Sequence, residues 1–395
     1  MSSKINLVIV ESRGKVKTIT KYLNSIPELN KLGKFIVEAS NGHILELDKK
    51  NGIDVDNNFK MNYLISKDKV NVVKNLKKKL KDIDVVYLSS DLDLEGEFIA
   101  YSLKETLKPK KYKRVVFNEI TPDALKEAFL NPRDIDYNAV EAQESRRALD
   151  RIVGFKLTAC LWKNFTANNI LSAGRTQSVG LLIIVENEKE INKFKSESYY
   201  KINGSFKIGK VLINEANLYK DSIILKIEDN SKAIEILNIL IKNQNVFNID
   251  NITDKLVTEK PPIPFITSTL QQEASSKLHM SIKQVMSLAQ GLYEKGLISY
   301  MRTDSYNLSE TALNNIHEYI KNTYGDENYK RRYTSKKSKS SQNAHEAIRP
   351  TDSNKEITGM TEQHQKLYDL IRKRTIASQM ISAIYQEGTV NIANK

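Results

Sequence analysis

Two uninterrupted apolar runs constrain this chain most, Leu7-Val8-Ile9-Val10 and Val85-Val86-Tyr87-Leu88. Neither alternates polar with apolar, so neither suits a strand with one wet face. Both suit strands covered on both sides, the pattern of a parallel sheet. Helical periodicity follows each run. Gly14–Leu23 places Val16, Ile19, Tyr22 and Leu23 on one side, and Phe98–Leu107 is the next helix. Arg114-Val115-Val116-Phe117 predicts a third strand, and Thr121-Pro122-Asp123 predicts a helix start with proline in its first turn. The alternation over residues 1–150 predicts an α/β fold with a mostly parallel sheet.

Ligand sites in such sheets lie at the carboxyl ends of the strands. Two ends carry acids here: Glu11 after the first run, and Asp91, Asp93, Glu95 and Glu97 after the second. At i and i+2, Asp91 and Asp93 share a side for as long as the strand lasts. Converging carboxylates repel unless a cation joins them, and hard oxygen ligands select Mg²⁺. The plainer reading is a solvated acidic turn capping the next helix, but it leaves Gly96 and the matching Glu11 without a purpose. Lys15, one turn after Glu11, stands near a helix N-terminus, where anions bind, or is an ordinary exposed lysine.

At 395 residues the chain predicts two to four domains. Lysine and arginine number 61 against 48 acids, a net charge of +13, which favours a polyanionic partner, nucleic acid before anionic membrane. The single cysteine, Cys160, excludes an intrachain disulfide and a cysteine-based zinc site and fits a reducing, cytoplasmic compartment. No apolar run approaches the ~20 residues of a membrane span. The N-terminal apolar run reads as a strand rather than a signal peptide.

Residues 137–197 read as helical. Ala139–Thr158 carries Arg146, Arg147, Asp150 and Arg151 at helical spacing, either a basic stripe or a solvated face of mixed charge. Trp162 could stack on a base or sit in a core. Ser172-Ala173-Gly174-Arg175-Thr176-Gln177 opens a further helix with small residues that let a backbone approach phosphate. Residues 198–260 predict strands at Tyr199–Ile202, Val211–Ile213, Ile223–Ile227 and Asn245–Val257, with a helix at Lys232–Lys242. Pro261-Pro262-Ile263-Pro264 is a stiff boundary.

Beyond it, Thr267–Lys277 and Ser281–Lys295 predict a helix-turn-helix, with Ser299–Arg302 as a wing strand. Gln290 and Glu294 share the face toward that wing. In an extended segment Tyr300 and Arg302 face one target. A phenol is a weak nucleophile until activated, and a guanidinium matches phosphate bidentately, so the pair suggests attack on a phosphodiester. Taken alone, the same residues fit a rim tyrosine beside a solvated arginine. Lys330–Ser341 is a lysine- and serine-rich loop, and Ala344–Thr351 carries His345 and Arg349.

Together these residues make the chain resemble the type IA DNA topoisomerases, more the bacterial topoisomerase I kind than topoisomerase III, since Met301 stands where the latter usually has proline. Glu11 with Asp91, Asp93 and Glu95 resembles the Toprim acidic set. Leu297–Ser305 resembles the active-site segment, and Ser172–Gln177 and Ala344–Thr351 resemble two further blocks. Leu94 departs from the usual arginine of the acidic motif, and Arg13 from the usual proline. The resemblance implies a Toprim domain (1–136), a helical single-strand-binding domain (137–197), a partial β arch (198–264), a winged-helix-like domain with the active-site tyrosine (265–385) and the start of a further arch segment (386–395). The whole would form an incomplete, toroid-like, multidomain fold.

It also implies ATP-independent relaxation of negatively supercoiled DNA by a monomer, through a 5′-phosphotyrosyl link on Tyr300. Glu11, Lys15, Arg302 and His345 would assist. Mg²⁺ would be held by Asp91 and Asp93 with Glu11 and Glu95. His43, Arg146, Arg147, Asp150, Phe155, Trp162, Ser172–Gln177, Gln290, Glu294 and Arg302 would contact DNA. Because family members continue past residue 395, this length is expected to cleave a single strand but relax plasmid poorly, its final strand Gly388–Ile392 lacking neighbours. A Toprim nuclease or primase, or a non-catalytic single-strand-binding protein, are the alternatives.

Overall fold

A computed structural model describes residues 4–165, 171–221, 223–243, 247–332 and 345–394. In chain order the strands and helices are β1 (Ile5–Val10), α1 (Arg13–Ser25), β2 (Lys34–Ala39), β3 (Leu45–Leu47), β4 (Ile53–Asp54), β5 (Lys60–Met61), β6 (Tyr63–Ile65), α2 (Val70–Lys79), β7 (Val85–Ser89), α3 (Leu94–Leu107), β8 (Tyr112–Arg114) and α4 (Pro122–Leu130). There follow α5 (Tyr137–Ile152), α6 (Thr158–Asn164), α7 (Gln177–Lys193), β9 (Asn203–Ile208), β10 (Val211–Asn217), β11 (Tyr219–Lys220), β12 (Ile223–Ile224), α8 (Asn230–Lys242) and β13 (Phe247–Glu259). The last are α9 (Thr267–Leu278), α10 (Ile282–Glu294), α11 (Glu310–Tyr324), α12 (Glu362–Ser378) and β14 (Ala383–Asn394). They divide into two compact units, residues 4–172 with 260–382, and residues 173–259 with 383–394.

The first unit is built on a parallel sheet in the order β2-β1-β7-β8. Buried Leu7–Val10 and Val86–Leu88 are central, as their uninterrupted apolar character requires. Val8, Val10 and Tyr87 face α1, α4 and the buried residues of α9, α10 and α12. Leu7, Ile9, Val86 and Leu88 face α2 and α3. The chain leaves β1 toward β2 on one side and β7 lies on the other. The topological switch point therefore falls between the carboxyl ends of β1 and β7, where Glu11 and Asp91 stand.

Several predicted elements differ. The third strand is Tyr112–Arg114, three residues before the apolar run ends, because β8 is an edge and Arg114 turns to bridge Arg133. The helix over Ala139–Thr158 is interrupted by a π-turn at Val153–Leu157, a feature common near functional sites. Asp91 and Asp93 are not on a strand: β7 stops at Ser89, and Asp93 is the N-cap of α3, accepting from the Gly96 amide. Ser299–Arg302 forms no wing strand. Its backbone groups go to separate segments, Ser299 N to Arg349 O, Tyr300 N to Asn118 O and Met301 O to the Thr267 hydroxyl, so no ladder can form. The two helices before it, α9 and α10, are as expected, with Ser281 capping α10.

In the second unit Tyr199–Ile202 contributes only a bridge from Tyr200 to Ile227, and the ladder is β9 with β10. The expected Ile223–Ile227 strand shortens to Ile223–Ile224. The last strand does have a neighbour: β14 pairs antiparallel with β13 along its length. Residues 333–341 of the lysine- and serine-rich loop, Ala344, and residues 245–246 of the predicted Asn245–Val257 strand lie outside the described residues. Among the described residues no helix is long and apolar enough to cross a membrane.

Candidate active site

The acidic loop after β7 is shaped from beneath by Arg114, which is fully buried. Its guanidinium donates to Glu97 Oε2 (3.1 Å) and to the carbonyls of Leu88, Ser90, Val115 and Asp91 (2.8–3.0 Å). Glu97 also accepts two bonds from Arg133 and one from the Asp136 amide. Burial alone would raise the Glu97 carboxyl, but the Arg133 and Arg114 contacts hold it net below its usual range. Gly96 completes the turn. A Cβ there would lie 2.1 Å from the Asp91 carbonyl oxygen, so no other residue fits without moving the loop.

Glu11, Lys15 and Asp91 meet at the switch point. Lys15, at 1 % exposure, is paired with Asp91 and lies 5.0 Å over the ring of fully buried Tyr293. Burial, then the charge of Asp91, raises the Glu11 carboxyl to about 7, against the opposing pull of Lys15. Glu95 goes the other way: the His43 hydrogen bond (3.0 Å) and Arg302 (3.3 Å) bring it to about 2.

Tyr300 reaches this loop from far along the chain. Its hydroxyl donates to Asp93 Oδ2 at 2.6 Å, and its ring packs edge-on to Tyr293 at 5.2 Å. His345 bonds the Leu92 carbonyl and lies 6.3 Å from the Tyr300 ring. Burial, then the Asp91 and Asp93 charges, drives the Tyr300 phenol well above its ordinary value. Although Tyr300 and Arg302 share no strand, they meet neighbouring acids at the start of α3, Asp93 and Glu95. Behind Tyr300, the Ser299 hydroxyl donates to Ala347 O and accepts from the Arg349 amide. Buried Arg349 pairs with Glu346 (2.6 Å) and with Glu119 (2.9 Å).

A cavity of about 340 Å³ opens beside these groups, lined by Glu11, Ser12, Lys15, Asp91, Met286, Ser287, Gln290, Met301 and Arg302. Gln290 donates to Glu294, whose carboxylate also accepts from Ser12 (2.6 Å) and packs on Gly14. Glu294 thereby ties α10 to the start of α1.

Hard oxygen donors suited to Mg²⁺ are present, and the repulsion from Asp91, Asp93 and Glu95 that adds to burial in raising Glu11 is what a cation would relieve. Each of the other acids is held by a protein donor: Asp91 by Lys15, Asp93 by Tyr300, Glu95 by His43 and Arg302. Among the described residues no group of three or more acids or histidines is arranged to hold a metal as it stands.

Arg147 stacks 4.5 Å over Phe98, and Arg151 lies 3.5 Å over exposed Phe155. Arg146 and Asp150 are exposed on α5. The Trp162 indole donates to Leu171 O at 2.7 Å. Ser172 is exposed at the end of the first unit's segment. Ala173, Gly174, Arg175, Thr176 and Gln177 lead into α7 in the second, where the Gly174 carbonyl accepts from the Ser178 amide.

Sequence reasoning missed Tyr293 and Glu119 and gave no role to Arg114, Glu97 and Arg349, because their partners are remote in sequence.

Models of known families match two segments, the Toprim domain over residues 6–120 and DNA topoisomerase over residues 134–395. A prokaryotic-type DNA topoisomerase 1 of Acanthamoeba polyphaga mimivirus is 42% identical across an alignment of 409 positions, covering 98% of this chain and 46% of that protein. Full-length topoisomerase I from Thermotoga maritima superposes with a TM-score of 0.81 at 34% identity, covering 98% of this chain and 63% of that one. The chain thus spans about half the length of the curated relative it matches. With both matched segments contributing to one site, the acids from the first and Tyr300 from the second, the chain belongs to the type IA DNA topoisomerase family.

Proposed function

We propose that Tyr300 cleaves one DNA strand by transesterification, and that the protein of which this sequence is part relaxes negatively supercoiled DNA without ATP. The observation that carries this reading is the Tyr300 hydroxyl held 2.6 Å from Asp93, beside a cavity lined by Glu11, Lys15 and Arg302. Attack by the Tyr300 oxygen on a backbone phosphorus breaks the bond to the 3′ oxygen and leaves a 5′-phosphotyrosyl link. Asp93 is placed to accept the phenol proton. Glu11, half protonated near pH 7, is suited to donate a proton to the leaving 3′ oxygen and recover it at religation. Lys15 and Arg302 offset charge on the phosphate, and His345 orients it.

Tyr300 is only 4 % exposed, so a bound strand has to open access to its hydroxyl before attack. Asp91 and Asp93, with Glu11 and Glu95 beside them, would hold Mg²⁺. Bound there, the ion supplies electrostatic positioning of the cleaved ends. His43, Arg146, Arg147, Asp150, Phe155, Trp162, Ser172–Gln177, Gln290 and Glu294 would line the strand path. The direct test is a labelled single-stranded oligonucleotide run on a denaturing gel. An adduct that survives denaturation and disappears in Tyr300→Phe supports the reading. Cleavage without an adduct would mean a nuclease, and binding without cleavage a non-catalytic protein.

A further inference from the structure

Nine exposed lysines crowd two short segments that the site does not use: Lys74, Lys77, Lys78, Lys79 and Lys81 along α2 and just after it, and Lys108, Lys110, Lys111 and Lys113 from the end of α3 into β8. The two segments hold fourteen residues, in which the chain's average basic content would place about two such charges. The fold brings them together. The first segment leads into β7 and the second into β8, adjacent parallel strands, and the Val86 amide donates to the Lys111 carbonyl at 3.0 Å. Both therefore lie at the amino edge of the sheet. Glu11 and Asp91 lie at the carboxyl edge, the length of a five-residue strand away, roughly 17 Å. That exceeds the ~8–10 Å over which exposed charges act at physiological salt, so the cluster is not part of the active-site field.

The lysines are not there to neutralise the protein's own acids. Among the described residues only Lys79 of the nine has an acidic partner, Glu38. Asp84, the nearest acid before β7, accepts from the Ile5 amide instead. Helix dipoles favour cations in a last turn, which accounts for Lys77–Lys79 and Lys108. They do not account for Lys110, Lys111 and Lys113.

We propose that this edge binds the phosphate backbone of duplex DNA, as a second contact surface separate from the cleavage site. Lysines are point charges that suit phosphates without reading bases. The segments offer no exposed aromatic on which unstacked bases could lie, their one tyrosine, Tyr112, being half-buried beside Lys104. The surface deepens the reading of the chain as a DNA-cleaving enzyme by adding a grip on duplex beside the cleaved strand.

The test compares the full chain with a variant in which Lys77, Lys78, Lys108, Lys110 and Lys111 are glutamine. Affinity for a blunt-ended duplex is measured across a salt series, beside cleavage of a short single-stranded oligonucleotide. The expected result is at least a roughly tenfold loss of duplex affinity at low salt and a shallower log–log salt slope, reduced by about 3–4, with oligonucleotide cleavage unchanged. Unchanged duplex affinity and slope would overturn the proposal. So would loss of oligonucleotide cleavage in the variant, which would put these lysines on the cleaved strand's path. A loss confined to anionic phosphatidylserine vesicles would overturn it in favour of a membrane surface. If neither protein cleaves the oligonucleotide yet the duplex effect holds, the cleavage reading fails and the duplex surface stands.

Discussion

At the scale of single residues, the site sets two carboxylates to opposite tasks through their surroundings. Burial and Asp91 hold Glu11 near 7, while His43 and Arg302 keep Glu95 ionised. A carboxyl raised in the folded state binds more protons than in the unfolded chain between about 4.5 and 7. Its stabilising effect is therefore full below the unfolded value and is lost as pH climbs through the folded one. In metal-free buffer, Glu11→Gln should flatten that decline, on the order of 3 kcal/mol between pH 4.5 and 8, read from chemical denaturation at several pH values. The same variant should remove the fall in cleavage rate above pH 7, and a decline that persists would assign the proton to another group. Tyr300→Phe should abolish the adduct while single-strand binding survives. Arg302→Lys keeps the charge but loses the fork, so cleavage should drop more than binding. Equal losses in the two assays would remove Arg302 from the transition state.

At the scale of elements, the β7–α3 turn is the part most sensitive to one atom. Gly96→Ala puts a methyl carbon 2.1 Å from a backbone oxygen of Asp91, which Arg114 also grips and which cannot swing away. The expected cost is about 1–3 kcal/mol of stability, with weaker Mg²⁺ binding by titration. A variant that matches the parent in both would mean the turn tolerates the methyl group by relaxing. Arg114→Met tests the support beneath. It leaves Glu97 buried with Arg133 as its remaining cationic partner and should cost about 3–5 kcal/mol, seen as a fall in melting temperature. Gly14 is less exacting, because the atom it would meet is the end of the flexible Glu294 side chain.

At the scale of the whole molecule, one apolar core joins residues from both chain segments of the first unit, Val8 and Tyr87 with Leu292, Ile298 and Leu367 among them. Tyr300 is therefore held by parts of the chain that are remote in sequence. Asn118 accepts from the Tyr300 amide, and the Glu119–Arg349 pair ties the next residue to the block behind Ser299. Glu119→Gln weakens that tie without changing its shape. Adduct yield should fall several-fold while single-strand affinity stays within about twofold, since a charge-assisted bond contributes roughly 1.5–3 kcal/mol. If both fall together, the pair supports the fold generally rather than Tyr300 in particular.

The chain's local pattern determined the sheet class, most helix limits and the positions of Glu11, Asp91, Asp93 and Tyr300, because apolar period, caps and breakers act over a few residues. Ser281 and Thr121 each cap the helix that their position predicts. What the pattern could not determine was how remote groups pair. Ser299–Arg302 has the composition of a strand, yet its hydrogen bonds run to Asn118, Thr267 and Arg349. Asp93 sits in an acidic run that reads as a metal site, yet it caps α3 and holds Tyr300. Arg114 looks like the head of an ordinary strand, and only the packed structure reveals it as the support of the acidic loop. In each case the deciding term is the cost of leaving a buried polar group without a partner. That partner is chosen by the folded chain as a whole and not by the residues on either side.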